Sequence, residues 1–185
     1  NKSLTMDLNG HSIIIPSSIN NNGNLKIIGK GSIRSTTKTI VNNKVLQLGE
    51  NDGTIINELV IEGALGIENN SNFKYYDGQI SGDKAVKGDI AETATDYKAL
   101  SNKINDKEVV TLGIITDYQA RIDSVYYNTL VQAVDAVDEN ETIILLIGLS
   151  LNESVEIPNT KKHFTLDLNG NTLSIGFTLA LLHCS

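Results

Sequence analysis

Cysteine, proline, tryptophan and arginine are all nearly missing from this chain. Of 185 residues, one is Cys, at position 184, two are Pro and none is Trp. A single thiol excludes an intrachain disulfide framework and a Cys-rich metal site. Aromatics supply only 5% of residues, so any core must be aliphatic. Arg34 and Arg121 are the only arginines, and the lysines read as dispersed. With a formal net charge of −7 and a pI of about 4.9, the chain has no basic footprint for nucleic acid. An acidic surface also disfavours anionic membranes and polyanionic substrates. No apolar run approaches the roughly 18–20 residues needed to span a bilayer, and the closest, residues 177–182, is far too short. Membrane insertion is therefore not expected. The chain opens on Asn1 without a leader segment, which reads as a removed leader or an internal piece.

What is present is Ile, Leu and Val in short runs, 15 Gly, and much Asn. Aliphatic runs of this length suit buried strands, and Asn and Gly supply the left-handed backbone of tight turns. Many short strands between Asn/Gly corners predict an all-β protein.

One phrase occurs twice. Residues 2–15 read KSLTMDLNGHSIII and residues 162–175 read KHFTLDLNGNTLSI, with a constant offset of 160 and half of the 14 positions identical. About one period of a tandem array is the natural reading, and it favours a structural or binding role over a self-contained enzyme. Within the first 90 residues a shorter repeat is expected, with strands starting at Leu4, Leu25, Val45, Leu59 and Phe73. Each ends in a Gly corner, and several then resume through a short apolar step, at Ile13, Ile33, Ile55, Ile67 and Ile80. Repeats of 14–21 residues predict a solenoid of two strands and a polar loop per coil.

Residues 91–118 read as a hairpin or cap and linker, with strands at 97–100 and 108–112 around the turn-like NKIND. Residues 119–185 begin a new unit. A small hairpin is expected over 119–127, turning at Asp123 and Ser124. Asn128 then caps a helix whose stripe is Leu130, Ala133, Val134 and Val137, at i, i+3, i+4 and i+7. Strands are expected at 142–147, 155–157 and 164–168. Such a helix would cover the open edge of a parallel solenoid.

The ordered set Tyr127, Thr129-Leu130, Ala133, Thr142-Ile143 and Leu166 to Gly170 resembles the start of a right-handed parallel β-helix repeat domain. Domains of that pectin-lyase-like kind occur in surface proteins of Gram-positive bacteria. GNLKIIGKGSI (23–33) and FKYYDGQISGDKAVKGDI (73–90) look like later coils of the same kind. The resemblance implies an extracellular or cell-surface location. It does not imply an activity, because the wider superfamily holds enzymes and non-enzymes alike.

The chemistry of a polysaccharide-cleaving member is not apparent. Glycoside hydrolysis needs two placed carboxylates, and the sequence has no Asp-Asp pair. Asp7 and Asp167 read as outward strand residues before an Asn-Gly corner rather than as a metal or sugar pair. Glu50-Asn51-Asp52-Gly53 reads as a solvated turn rather than a calcium loop. His11, His163 and His183 show no metal spacing and read as surface residues. In each of the pairs Tyr75-Tyr76 and Tyr126-Tyr127, one ring is expected inside and one on the solvent face, where it could stack on a sugar. No cofactor is expected. The function expected is a non-catalytic structural or adhesive array, with a carbohydrate-binding or carbohydrate-cleaving β-helix as the alternative. Self-association is expected through open ends at Leu4, Met6 and Leu8 and at Phe164, Leu166 and Leu168, with host or cell-wall glycans as further candidate partners.

Overall fold

The computed structural model describes residues 2–115, 118–152, 154–157 and 163–175. The protein is predominantly β, with 52% strand and 4% helix. The chain divides into two compact units, residues 1–116 with 123–126, and residues 117–122 with 127–185.

In the first unit the chain visits three sheets in a fixed order, again and again. The first circuit is β1 (Ser3–Asp7), β2 (Ser12–Ile15) and β3 (Ile19–Asn21). The second is β4 (Asn24–Ile28), β5 (Gly31–Ser35) and β6 (Lys38–Asn42), and the third β7 (Val45–Leu48), β8 (Leu59–Glu62) and β9 (Leu65–Asn69). The fourth is β10 (Asn72–Tyr75), β11 (Gln79–Gly82) and β12 (Lys84–Lys87), after which β13 (Glu92–Thr93) returns to the first sheet. Each strand pairs parallel with its counterpart one circuit away, in the orders β1-β4-β7-β10-β13, β2-β5-β8-β11 and β3-β6-β9-β12. None of these sheets closes on itself.

The register stacks like on like. Leu4, Leu25, Leu46 and Phe73 form one column, Met6, Ile27, Leu48 and Tyr75 the next. Ile13, Ile33, Ile61 and Ile80 fill the second sheet, and Ile19, Ile40, Ile67 and Val86 the third. Alternation along each strand sends these residues inward, as a period of two requires.

Two expectations are corrected here. The circuit has three strands, not two and a loop: the third strand is polar enough (INN, KTIVN) to have passed for loop. Leu59 does not start a circuit, because β8 lies in the second sheet between β5 and β11. The third circuit is 27 residues long in the first sheet (Val45 to Asn72) against 21 for the second. The extra residues lie between β7 and β8, where Ile55 belongs to no strand.

The hairpin forms as β14 (Lys98–Ile104) and β15 (Lys107–Gly113), with both strands longer than expected. Only Asn105 and Asp106 turn, at φ of 51° and 61°, as a primed two-residue turn demands. β15 runs antiparallel beside β11 and covers its edge. The hairpin thus packs with the first unit, and the first sheet runs on past residue 90 to Thr93.

The following segments are β16 (Ala120–Ile122) and β17 (Val125–Tyr127), with Asp123 at φ 49° between them. In the second unit α1 (Leu130–Ala136) lies against β16 and β18 (Thr142–Leu145). The helix cap is Thr129, not Asn128. Its hydroxyl accepts from the Gln132 N–H while the Gln132 side chain accepts from the Thr129 N–H, a reciprocal capping box. The stripe Leu130, Ala133, Val134 and Val137 is buried as expected. Residues 155–157 are not a strand. The strand lies earlier, at β19 (Leu149–Leu151), and pairs parallel with β21 (Leu173–Ile175), while β18 pairs parallel with β20 (Thr165–Asp167).

Candidate assembly edges and the asparagine columns

The two copies of the repeated phrase build the same corner. Asp7 Oδ1 accepts the Asn9 N–H at 2.9 Å, and Asp167 Oδ1 accepts the Asn169 N–H at 2.8 Å. Asn9 and Gly10 sit at φ 45° and 82°, Asn169 and Gly170 at 49° and 75°. The His11 N–H closes on the Leu8 carbonyl and the Asn171 N–H on the Leu168 carbonyl, each at 2.8 Å. Both aspartates therefore organise a turn.

The copies differ in which neighbour they hold. β1 pairs with β4, which comes later in the chain, and β20 with β18, which comes earlier. Among the described residues the opposite side of each strand is open. Exposure follows: Leu4 is 58% exposed although its column mates Leu25, Leu46 and Phe73 are 6%, 0% and 0%. Leu166 and Leu168 are 37% and 41% exposed, whereas Ile143, opposite Leu166, is fully buried. Met6 and Phe164 are half-buried, and Leu8 is buried inside the first unit. No protein-family model, curated protein or solved structure matches this chain.

A second feature escaped the sequence reading, which assigned Asn to left-handed turns. At one corner of each of the first three circuits stands an Asn-Asn pair: 21-22, 42-43 and 69-70. The first members are buried and bond along the stack, Asn21 Nδ2 to Asn42 Oδ1 at 2.8 Å and Asn42 Nδ2 to Asn69 Oδ1 at 2.6 Å. The second members form an exposed column of opposite polarity, with Asn70 Nδ2 donating to Asn43 Oδ1 and Asn43 Nδ2 to Asn22 Oδ1, both at 3.0 Å. The inner column stops at Gly88, where a side chain would strike the Asn69 carbonyl oxygen. The Asn69 amide turns instead to the Asp89 carbonyl at 2.6 Å. The signal in the sequence was the motif I-x-N-N at 19, 40 and 67.

Charge is also sorted by circuit rather than dispersed. Residues 24–44 contain Lys26, Lys30, Arg34, Lys38 and Lys44 and no acid, while residues 45–71 contain Glu50, Asp52, Glu58, Glu62 and Glu68 and no base. Four pairs join them: Lys26–Glu50 at 2.6 Å, Lys30–Glu58 at 2.8 Å, Arg34–Glu62 at 3.2 Å and Lys38–Glu68 at 2.5 Å. Glu62 also takes Lys107 at 2.6 Å, and this hydrogen bond is the main reason its carboxyl titrates below the ordinary range.

The remaining candidates hold structural places. Tyr75 is fully buried, its hydroxyl 2.5 Å from the Gly78 carbonyl and 3.0 Å from that of Val110. Burial, aided by Asp77, pushes its pKa well up. Tyr76 is not on the solvent face as expected but 4% exposed, beside Lys74 and Glu92. Tyr127 is buried and Tyr126 half-buried. The Glu50 to Gly53 stretch starts the loop inserted in the third circuit. Asp77 Oδ1 holds the loop's far end through the N–H groups of Ile56 and Asn57, at 3.0 and 2.9 Å. His11 and His163 are exposed, and His183 and Cys184 lie outside the described residues. Among the described residues no three His, Cys, Asp or Glu side chains gather as metal ligands, and no helix is long and apolar enough to cross a membrane.

Proposed function

We propose that the circuits are coils of a right-handed parallel β-helix and that the chain is a non-catalytic structural or adhesive module of a bacterial surface or secreted protein. Its work is to project or scaffold, and it self-associates through the open ends of its coil stacks into open oligomers or filaments. What supports this reading is the repeated three-sheet circuit together with one phrase at β1 and β20, which among the described residues each pair on one side only, so the two remaining sides can meet between copies. A contact of that kind is heterologous and propagates instead of closing. Charged edges, bulges and covering loops usually protect such strands, and among the described residues each of these two strands carries one aspartate. The carbohydrate reading lacks comparable support, because Tyr75, Tyr76 and Tyr127 are buried and offer no exposed aromatic platform.

Negative-stain electron microscopy across a concentration series tests the proposal. Unbranched filaments or a ladder of open oligomers are expected as concentration rises. Dispersed single particles at every concentration would end it.

A further inference from the structure

We infer that residues 94–113 are a built-in stop, which keeps the fourth circuit of the first unit from taking on a further strand, and that Glu108 is the residue that holds it. This end of the stack lies inside the chain, with described residues on both sides of it.

A coil with no coil beyond it leaves a row of backbone N–H and C=O groups on each strand, and such a row recruits strands from other chains. The fourth circuit meets this problem in three sheets, and each sheet ends differently. In the first, β13 shrinks to two residues and a turn follows at once. The Tyr97 N–H donates to the Ala94 carbonyl at 3.0 Å and the Thr93 hydroxyl to the Tyr97 carbonyl at 2.7 Å. In the second, β15 lies antiparallel along β11, with Ile80 opposite Val110 and Gly82 opposite Glu108. In the third, no strand among the described residues pairs with β12 beyond β9. A side chain stands there instead. The Lys84 N–H donates to the Ala64 carbonyl of the preceding circuit, but the Ala85 N–H donates to Glu108 Oε2 at 2.7 Å. The carboxylate supplies the acceptor that the backbone of a next coil would supply.

Glu108 is fitted to that place. Its other oxygen accepts the Ser101 hydroxyl at 3.0 Å, so one side chain ties β12, β14 and β15 together. It is only 8% exposed, an uncommon position for Glu, and Ala85 is sealed. Hydrogen bonds to a charged acceptor are among the stronger ones, which suits a single anchor. The core closes at the same level. Its two columns end on Phe73 and Tyr75, whose rings stack with centroids 5.8 Å apart, and the Tyr75 hydroxyl reaches the Val110 carbonyl of the hairpin. On the flank the Ser124 hydroxyl accepts the Ile90 N–H at 3.1 Å. Larger rings, a reversed strand and two side-chain acceptors stand where a fifth coil would, so the stack stops because of these residues and not for want of more chain. A strand offered by a second copy finds the Ala85 N–H taken and β11 already paired.

Amide exchange and sedimentation velocity on the full chain test the stop. In the parent protein Ala85, on the outermost strand of its sheet, should exchange as slowly as Ile67 one strand further in. Fast exchange at Ala85 would overturn the role of Glu108 without any variant. In Glu108→Ala, exchange at Ala85 should rise about ten- to a hundredfold, and species sedimenting faster than the parent should appear at equal concentration. Glu108→Gln keeps a carbonyl oxygen for Ala85 and should match the parent in both readouts. Faster exchange in Glu108→Ala with no added association would overturn the stop and leave Glu108 a residue that only stabilises the fold. Equal association by Glu108→Ala and Glu108→Gln would overturn it as well, because loss of charge and not loss of the acceptor would then be the cause.

Discussion

Asn42 makes four hydrogen bonds in a fully buried position, giving to Asn69 and to the Asn72 carbonyl and accepting from Asn21 and from the Lys44 N–H. A side-chain amide offers both an N–H donor and a carbonyl acceptor, which is why a column of amides can run through the stack. Asn42→Ala strands partners above and below and should cost about 3 kcal/mol in urea unfolding. Asn43→Ala, in the exposed outer column where water replaces the lost bonds, should cost under about 1 kcal/mol. Asn42→Asp exchanges the donor for a third acceptor facing Asn69 Oδ1 and the Asn72 carbonyl. Its carboxyl would be raised in the folded state, so the destabilisation should grow as pH rises through the carboxylate range and shrink in acid. Equal costs at positions 42 and 43 would show that the inner column contributes nothing special.

At the level of strands and turns, local chemistry and register answer to different evidence. Asp106 stands at φ 61° in the β14–β15 turn, where glycine is free of strain. Asp106→Gly creates the Asn-Gly pair that such turns favour and should stabilise by about 0.5–1 kcal/mol, read as a raised denaturant midpoint. Glu62 joins β5, β8 and β15 through Arg34 and Lys107, and its folded-state pKa is lowered from 4.5, first by the Lys107 hydrogen bond. Stability from a depressed carboxyl is complete above its unfolded value and is lost as pH falls through the folded one. Glu62→Gln should therefore weaken the protein at neutral pH and flatten its acid limb below about pH 4.5. An unchanged acid limb would remove Glu62 from the account. The corners and the hairpin were legible because glycine, Asn-Gly and period-two runs report local backbone directly. The register was not, since it depends on what lies one circuit away. Lys30 and Glu58, and Arg34 and Glu62, share an offset of 28, but without the loop between β7 and β8 that offset has no meaning. Likewise Leu59 looked like Leu25 and Leu46, and only pairing separates them.

Across the whole molecule the same side chain changes value with its place in the stack. A repeat protein in which each circuit touches only its neighbours has stability close to a sum of nearest-neighbour terms, weakest at an open end. Leu4 and Leu46 occupy one column and one inward orientation, yet one is 58% exposed and the other is sealed. Leu46→Ala should cost about 3 kcal/mol, a cavity between two filled circuits. Leu4→Ala should cost under about 1 kcal/mol in the dispersed protein, since water already reaches it. Concentration then distinguishes an end that merely frays from one that waits for a partner. If β1 pairs with β20 of a second copy, the N–H groups of Thr5 and Asp7 gain acceptors, Leu4 is covered, and the position behaves like the interior of its own column. Hydrogen exchange at Thr5 and Asp7 should slow with protein concentration while exchange at Leu8, already bonded to Ile28, stays constant. In the same series the cost of Leu4→Ala should climb toward that of Leu46→Ala. Exchange at Thr5 that ignores concentration would mean the column ends at Leu4, and that the repeated phrase serves only to build its corner.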